Sequence, residues 1–335
     1  MFRSRRTGAL EVKRREFITL LGGAAAAWPL AARAQQSARM REIAVWMGRP
    51  NDEEGRRHAK AFRDGLQALG WTVGRNVRTN YHWVTRDIDR THMAKEIIEQ
   101  QPDVIVVETT VGIGALSRES RTIPMIFVNV TDPVEAGFVA SLARPGGNVT
   151  GFLSNEPTLG SKWPELLKEI APQTARIRML FNPDTAPYAE SAEMAARSLG
   201  MELTPSRFHN DVEMDHAITS IASNPGGGLI VLPEPTTNAR SEMIISMVAR
   251  NHVPAVYAYR YQVMNGGLIC YGVDIADLFQ SAAGYVDRIF RGEKPADLPV
   301  QAATKFRLFV NLNTGKALGL TVPATILLRA DEVIE

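Results

Sequence analysis

The first part of the chain alternates short apolar runs with amphipathic segments. Apolar or alternating runs predict strands at Ile43–Met47, Val77–Trp83, Val104–Val107 and Met125–Val128. Between them, apolar residues recur at steps of three and four, as in Ala59, Phe62 and Leu66, which predicts helices. Because the strand runs are largely apolar throughout, they indicate a parallel sheet covered on both faces. A last helix is predicted over Val134–Leu142.

The same alternation starts again after a turn-rich break at Arg144–Asn148. Strands are predicted at Arg176–Phe181, Gly228–Leu232, Ala255–Ala258 and Gly267–Tyr271, with helices at Ala186–Leu199, Asp211–Ala222 and Asn238–Asn251. A helix over Ile275–Phe290 and a strand over Phe306–Val310 follow, and chain order alone allows them to return to either half. The pattern therefore predicts an α/β protein of two Rossmann-like halves.

The residues before the first strand have the plan of an export signal. A basic pair, Arg14-Arg15, precedes a weakly apolar run over Thr19–Leu30, and small residues end at Ala34. The run is shorter than the roughly 20 residues that span a bilayer, so a permanent anchor is not expected. The pair resembles a twin-arginine signal, with Lys13 where Ser or Thr is usual. Residues 1–34 are therefore predicted to be cleaved, leaving a periplasmic protein.

Charge and cysteine content narrow the possible functions. Residues 1–34 contain seven Lys and Arg but two Asp and Glu; without them the formal net charge changes from +2 to about −3. A nucleic-acid partner is not expected, because the remaining chain lacks a basic excess. Cys270 is the single cysteine, so no internal disulfide can form.

No catalytic or cofactor motif is complete in the sequence. Gly112-Ile113-Gly114 follows a predicted strand, but Ser117 stands where a dinucleotide fingerprint needs glycine. G-x-x-x-x-G-K-[ST], G-x-S-x-G and H-E-x-x-H are all absent. We therefore expect no catalytic residue, no cofactor and no metal.

Polar residues instead collect after the predicted strands. They include Thr109, Thr110, Asn129, Asp132, Asn182, Thr236, Asn238, Tyr259 and Asp274. In open α/β sheets, ligands bind at the carboxyl ends of the strands, where helix N-termini offer free N–H groups. Helix capping is the alternative for any single member of this set. Two such edges facing each other would form a cleft for a small polar ligand.

Two stretches resemble a known family. IPMIFVNVTDPVEAGFVASLARPGGNVTGF, residues 123–152, and GGLICYGVD, residues 266–274, are similar to the ABC transporter substrate-binding proteins of the TrpX-like group. The resemblance implies a type I periplasmic binding fold, with two lobes joined by three crossovers. Lobe one would contain residues 41–148 and 275–304, and lobe two residues 149–274 and 305–335. The crossovers would lie at Asn148–Gly151, Gly272–Asp274 and Lys305–Val310.

The resemblance also implies roles for the candidate site. Members with known ligands bind aromatic amino acids, so the α-carboxylate would lie against Thr109 and Thr110, and Asp274 would hold the α-ammonium. Tyr188, Tyr257 or Tyr259 would stack on the ligand. Glu108 departs from the small residues usual after the third strand; facing the cleft, it would favour a cationic or carbonyl ligand.

The expected function is a monomeric periplasmic receptor that delivers a small molecule to an ABC permease and its ATPase. Two alternatives share the same cleft. A secreted enzyme would require catalytic residues that the sequence does not show, and a sensory module would pass ligand occupancy to a membrane receptor.

Overall fold

The chain forms two α/β lobes. The computed structural model describes residues 39–85, 88–154, 156–181, 188–223 and 225–335. The predicted export signal lies outside these residues. Within the described ranges, no helix has both the length and the apolar character needed to span a membrane.

Lobe one has a six-stranded parallel sheet in the order β11-β5-β4-β3-β1-β2. Its strands are β1 (Arg41–Met47), β2 (Val77–Trp83), β3 (Val104–Glu108), β4 (Met125–Val130), β5 (Val149–Leu153) and β11 (Gln301–Ala302). Its helices are α1 (Glu53–Ala68), α2 (Arg90–Glu99), α3 (Thr110–Glu119) and α10 (Ile275–Phe290), with a 3-10 helix at Pro295–Asp297.

The side chains of β1 alternate between two buried layers. Val45 packs with Phe62 of α1 and Phe279 of α10, whereas Trp46 packs with Ile113 of α3 on the opposite face. Burial on both faces explains why the strand reads as a continuous apolar run. The sheet consequently holds its polar strand ends in fixed positions.

Lobe two has a seven-stranded sheet in the order β13-β12-β10-β9-β8-β6-β7. Its strands are β6 (Arg176–Phe181), β7 (Glu202–Arg207), β8 (Gly227–Val231), β9 (Ala255–Tyr257), β10 (Ile269–Val273), β12 (Phe306–Asn311) and β13 (Glu332–Ile334). Its helices are α4 (Leu159–Ile170), α5 (Ala189–Ser198), α6 (Asp211–Ala222), α7 (Pro235–Ala239), α8 (Ser241–Arg250), α9 (Arg260–Met264), α11 (Leu312–Ala317) and α12 (Ala324–Arg329). The sheet is parallel except that β12 runs antiparallel to β10.

The chain passes between the lobes three times. It leaves lobe one after Leu153, returns at Asp274, and crosses again between Ala302 and Phe306. After the second passage, α10 packs closely on α1: a Cβ built at Gly65 would lie 2.9 Å from the Cβ of Ala283. Helix α10 thus connects the hinge directly to the interior of lobe one.

One expected boundary differs from this topology. The sequence assigned lobe two from residue 149, with a crossover at Asn148–Gly151. Val149–Leu153 is instead strand β5, paired in parallel between β4 and β11. The Thr150 hydroxyl also donates to the carbonyl of Leu298, at 2.6 Å. These bonds place the segment in lobe one, and the first crossover follows it.

Two predicted helices are also different in the structure. Residues 134–142 form turns rather than a helix, because Gly137 has a φ of 72° and directs the chain away from a helical path. The single helix predicted over Asn238–Asn251 is divided into α7 and α8 at Arg240, whose φ and ψ are −105° and 10°.

Cys270 lies in β10 and is 1% exposed. Burial raises the pKa of its thiol strongly, which leaves the nucleophilic thiolate scarce in the folded protein. The expectation that this cysteine is an interior residue is confirmed.

Candidate functional site

Tyr259 joins the two lobes at the ends of their strands. Its hydroxyl forms hydrogen bonds with the side chains of Asn129, at the end of β4 in lobe one, and Asn238, in α7 of lobe two. Its ring packs against the buried clusters of both lobes. The structure therefore brings together three residues that the sequence proposed from strand ends alone.

The surroundings of Tyr259 favour its neutral form. Burial raises the pKa of the phenol to about 12, and the nearby carboxylates of Glu108 and Glu234 act in the same direction. The hydrogen bonds from Asn238 and Asn129 act against this shift. At neutral pH the hydroxyl is consequently both a donor and an acceptor between the lobes.

The backbone is strained at the same place. Thr109 has a φ of 80° and Asn129 a φ of 60°, and each lies at the carboxyl end of a lobe-one strand. Positive φ is especially unfavourable for a β-branched residue such as threonine. Strained residues of this kind cost about 1 to 3 kcal/mol and occur frequently at functional sites. The strain at Thr109 and Asn129 therefore supports a binding role for this edge.

The N-terminus of α3 opens at this edge. The hydroxyl of Thr109 caps the helix by accepting from the amide of Gly112, at 3.3 Å. The first amides of a helix have no intrahelical acceptors, and together with the helix dipole they favour an anion. Thr110 is the first residue of the helix. Thr109 and Thr110 therefore lie where a ligand carboxylate could accept hydrogen bonds.

Glu108 is turned away from an open ligand site. One carboxylate oxygen accepts from the amide of Gly48 at 2.9 Å, and the other lies 3.6 Å from Nδ1 of His58. The residue is 4% exposed. His58 itself stacks on Phe279 beneath α1. Because the carboxylate already has these partners, the structure does not support Glu108 as a contact for a cationic ligand.

Asp274 has partners of its own. Oδ1 accepts from Arg57 of lobe one at 3.1 Å, and Oδ2 accepts from Arg307 of lobe two at 2.6 Å. Burial alone would raise the pKa of Asp274, but the hydrogen bond and charge of Arg307 and the charge of Arg57 lower it. Both oxygens are engaged at the second crossover, so the predicted contact with an α-ammonium does not fit this arrangement. Asp274 connects the lobes at the hinge.

A second ionic group crosses the hinge at Arg260. Its guanidinium binds Glu332 with two hydrogen bonds of 2.9 and 2.8 Å, and it donates to Glu54 of lobe one at 2.9 Å. Glu54 also accepts from Arg57 at 2.8 Å and lies 3.2 Å from Nε2 of His58. Glu54 is therefore a buried carboxylate shared by both lobes.

Glu54 makes the stability of the protein depend on acid pH. Burial alone would raise its pKa, but the contacts with His58 and Arg57 lower it to about 2. A depressed carboxylate pKa contributes stability above the unfolded value of about 4.5 and loses it as the pH falls towards 2. Urea unfolding should show Glu54→Gln less stable than wild type by on the order of 3 kcal/mol at pH 7.

The same titration contains its own control. The stability difference between wild type and Glu54→Gln should shrink between pH 5 and pH 3, because wild-type Glu54 then loses part of its charge-dependent stability. A difference that stays constant over this range would show that the pKa of Glu54 is not depressed.

The remaining predicted residues differ in placement. Tyr188 is buried edge-on against Trp163, with ring centroids 5.1 Å apart, and lies close enough to Tyr259 to affect its own pKa. The amide of Thr236 donates to Glu234. Asp132 is exposed, and its carboxylate accepts from the amide of Glu135 in a local turn. Asn182 lies outside the described residues.

Arg49 was not predicted from the sequence. It follows β1, binds Asp52 at 3.1 and 2.8 Å, and lies over the ring of Tyr261 in lobe two, 4.9 Å from the centroid. Tyr261 in turn stacks on Tyr259 at 5.7 Å. Applying the strand-end rule to β1 as well would have found Arg49. No cluster of three or more metal-ligating side chains occurs within the described ranges.

Comparisons with known proteins agree with this geometry. A family model described as ABC transporter substrate binding protein matches residues 52–334. A tyrosine-binding protein from Clostridioides difficile is 30% identical over 271 residues, which cover 78% of this chain and 76% of that protein.

Solved structures show the same two-lobed fold. A conserved domain protein from Vibrio cholerae has a TM-score of 0.74 and 28% identity, covering 88% of this chain and 100% of that one. An ABC domain in complex with L-Trp from Streptococcus pneumonia has the same TM-score and coverage at 23% identity, a level that supports the fold.

Proposed function

Because this chain belongs to the family of ABC transporter substrate-binding proteins, we propose that it is an exported receptor for an aromatic amino acid, which it binds between its two lobes. The observation that carries the proposal is the position of Tyr259, whose hydroxyl lies between Asn129 of one lobe and Asn238 of the other. A ligand in contact with this tyrosine touches both lobes, and it therefore stabilises their closed arrangement.

The carboxylate of the ligand is assigned to lobe one. It accepts hydrogen bonds from the first amides of α3 and from Thr109 or Thr110, since a helix N-terminus favours an anion. The strained backbone at Thr109 supports this assignment.

The aromatic part of the ligand is assigned to the tyrosines of lobe two. Tyr259 and Tyr261 already form a stacked pair, and Tyr188 lies close to Tyr259. Aromatic rings in offset or edge-to-face contact contribute about 0.5 to 1.5 kcal/mol beyond the area that they bury. The relative named as a tyrosine-binding protein supports the same choice of ligand.

The ammonium group requires a different acceptor from Asp274. Oδ1 of Asn238 is buried and has no hydrogen-bond partner among the described atoms. We assign it, with Asn129, to the ammonium, because a buried acceptor without a partner costs about 1 to 3 kcal/mol that a ligand N–H can recover.

Titration with a panel of amino acids tests this function. We expect saturable quenching or enhancement of tryptophan fluorescence with L-tyrosine, L-tryptophan or L-phenylalanine, and none with D-glucose or D-ribose. Trp46 is a suitable reporter because it packs directly beneath α3: a Cβ at Gly112 would lie 2.7 Å from its Nε1. If calorimetry shows saturable binding of sugars and not of aromatic amino acids, the proposed function is wrong.

We also propose that residues 1–34 direct export through the twin-arginine route and that the mature protein is a periplasmic monomer serving an ABC permease and ATPase. The basic pair Arg14-Arg15 before an apolar run supports the route. Cell fractionation of an Arg14→Lys, Arg15→Lys variant tests export, and light scattering of the mature protein tests its mass.

A further inference from the structure

A cavity of about 500 Å³ lies on lobe one beside the cleft, along one face of α3. The opposite wall is the turn that contains Ala136, Gly137 and Phe138. The cavity begins at Thr110, next to the helix cap at Thr109, and runs along the helix towards Arg121. We call it the α3 groove. None of the ligand contacts proposed above, apart from Thr110, lines it.

The groove combines positive charge with unpaired polar groups. Arg118 and Arg121 line it, are exposed, and form no ion pair within the described part of the chain. The hydroxyl of Ser117 also lines it; this side chain is 7% exposed and its oxygen has no hydrogen-bond partner among the described residues. Most arginines near the hinge are paired, so this pair of free guanidinium groups distinguishes the groove.

The groove also has an apolar part. Val111 is 48% exposed on one wall, and Phe138 forms the other. Gly114 keeps the space between them open, since a Cβ there would already lie 3.7 Å from the Phe138 ring. Val134, in the same turn as Phe138, is 41% exposed. A complementary surface therefore needs aliphatic groups with carboxylates four to ten ångströms or so further along, on the scale of one to two helical turns.

We propose that the α3 groove docks an acidic segment of the importer's membrane subunit, with its carboxylates on Arg118 and Arg121 and its aliphatic side chains between Val111 and Phe138. This inference rests on the proposed function as a receptor. The groove opens to the surface and its two arginines are exposed, which suits a protein surface better than an enclosed small molecule. Its position next to Thr109 gives a docked partner direct contact with the helix that carries the ligand site.

Charge reversal tests the docking. Arg118→Glu combined with Arg121→Glu should weaken binding to the permease and ATPase encoded with this receptor, reconstituted in nanodiscs, by at least tenfold in biolayer interferometry. The matched control is Arg197→Glu combined with Arg250→Glu, because both of these arginines are exposed on lobe two and form no ion pair within the described ranges. The control should bind the importer as wild type does. Equal binding by both double variants would overturn the proposal.

Two further measurements separate this proposal from its neighbours. Affinity for the aromatic amino acid should change less than twofold in the groove variant, so a loss of ligand binding by wild type would contradict the receptor function and not the docking surface. A small-anion site is the other outcome: saturable thermal stabilisation by benzoate that disappears in the groove variant would overturn docking. A photo-crosslinking residue at Val111 should join the membrane subunit, whereas one at Leu328 of lobe two should not.

Discussion

Replacing Tyr259 by alanine is expected to weaken binding of the aromatic amino acid by about a hundredfold, which corresponds to roughly 3 kcal/mol. The variant removes the stacking partner of Tyr261, the contact with both lobes, and the hydrogen bonds to Asn129 and Asn238. Central tyrosines in buried contacts typically cost 2 kcal/mol or more when they are truncated. Isothermal titration calorimetry with L-tyrosine measures the change.

Tyr259→Phe separates the ring from the hydroxyl. It retains the stacking surface and loses the hydrogen bonds, so a loss of about tenfold is expected, equal to roughly 1.4 kcal/mol. Tyr271→Phe is the matched control, because Tyr271 is a partly buried lobe-two tyrosine that packs on Phe306. Wild-type affinity in a folded Tyr259→Ala protein would remove Tyr259 from the site.

Replacing Arg260 by alanine is expected to destabilise the protein by about 3 kcal/mol. The change leaves Glu54 buried without its partner from lobe two, and removing one member of a buried pair costs about 3 to 5 kcal/mol. The lower figure applies because Glu54 keeps Arg57 and His58. Urea unfolding measures the stability, and small-angle scattering should show a more open molecule.

The double variant tests whether the effect comes from the pair. If Arg260 and Glu54 interact across the hinge, Arg260→Ala with Glu54→Ala should be less destabilised than the sum of the single variants. Lys162→Ala provides the comparison for an exposed pair, since Lys162 and Glu165 are both exposed and the change should stay within about 1 kcal/mol. Additive effects of Arg260 and Glu54 would mean that the hinge contact contributes nothing of its own.

The sequence predicts an element well where burial alone determines it. Strands β1, β3 and β4 are buried on both faces and appear as apolar runs. Strand β7 was missed because it is a largely exposed edge strand whose residues, ELTPSR, lack such a run. Residues 134–142 have helical spacing, but the positive φ of Gly137 makes them a turn.

The candidate site shows the same limit. Asn129, Asn238 and Tyr259 were found because each follows a strand, and strand ends of one sheet necessarily meet at one edge. The role of Asp274 was misjudged because its two partners are 217 and 33 positions away along the chain. A pattern along the sequence does not show which charges a fold brings to the same point, so the ionic contacts at the hinge were not predictable.

The single cysteine of this chain has a practical consequence. Because Cys270 lies in a central strand of lobe two and its thiol has a raised pKa, reagents such as maleimides should modify it only in molecules whose sheet has come apart. The native chain therefore carries its own clock for unfolding. Any solute that slows this modification in proportion to the logarithm of its concentration has bound the folded receptor, which makes labelling rate a screen that needs no engineered probe.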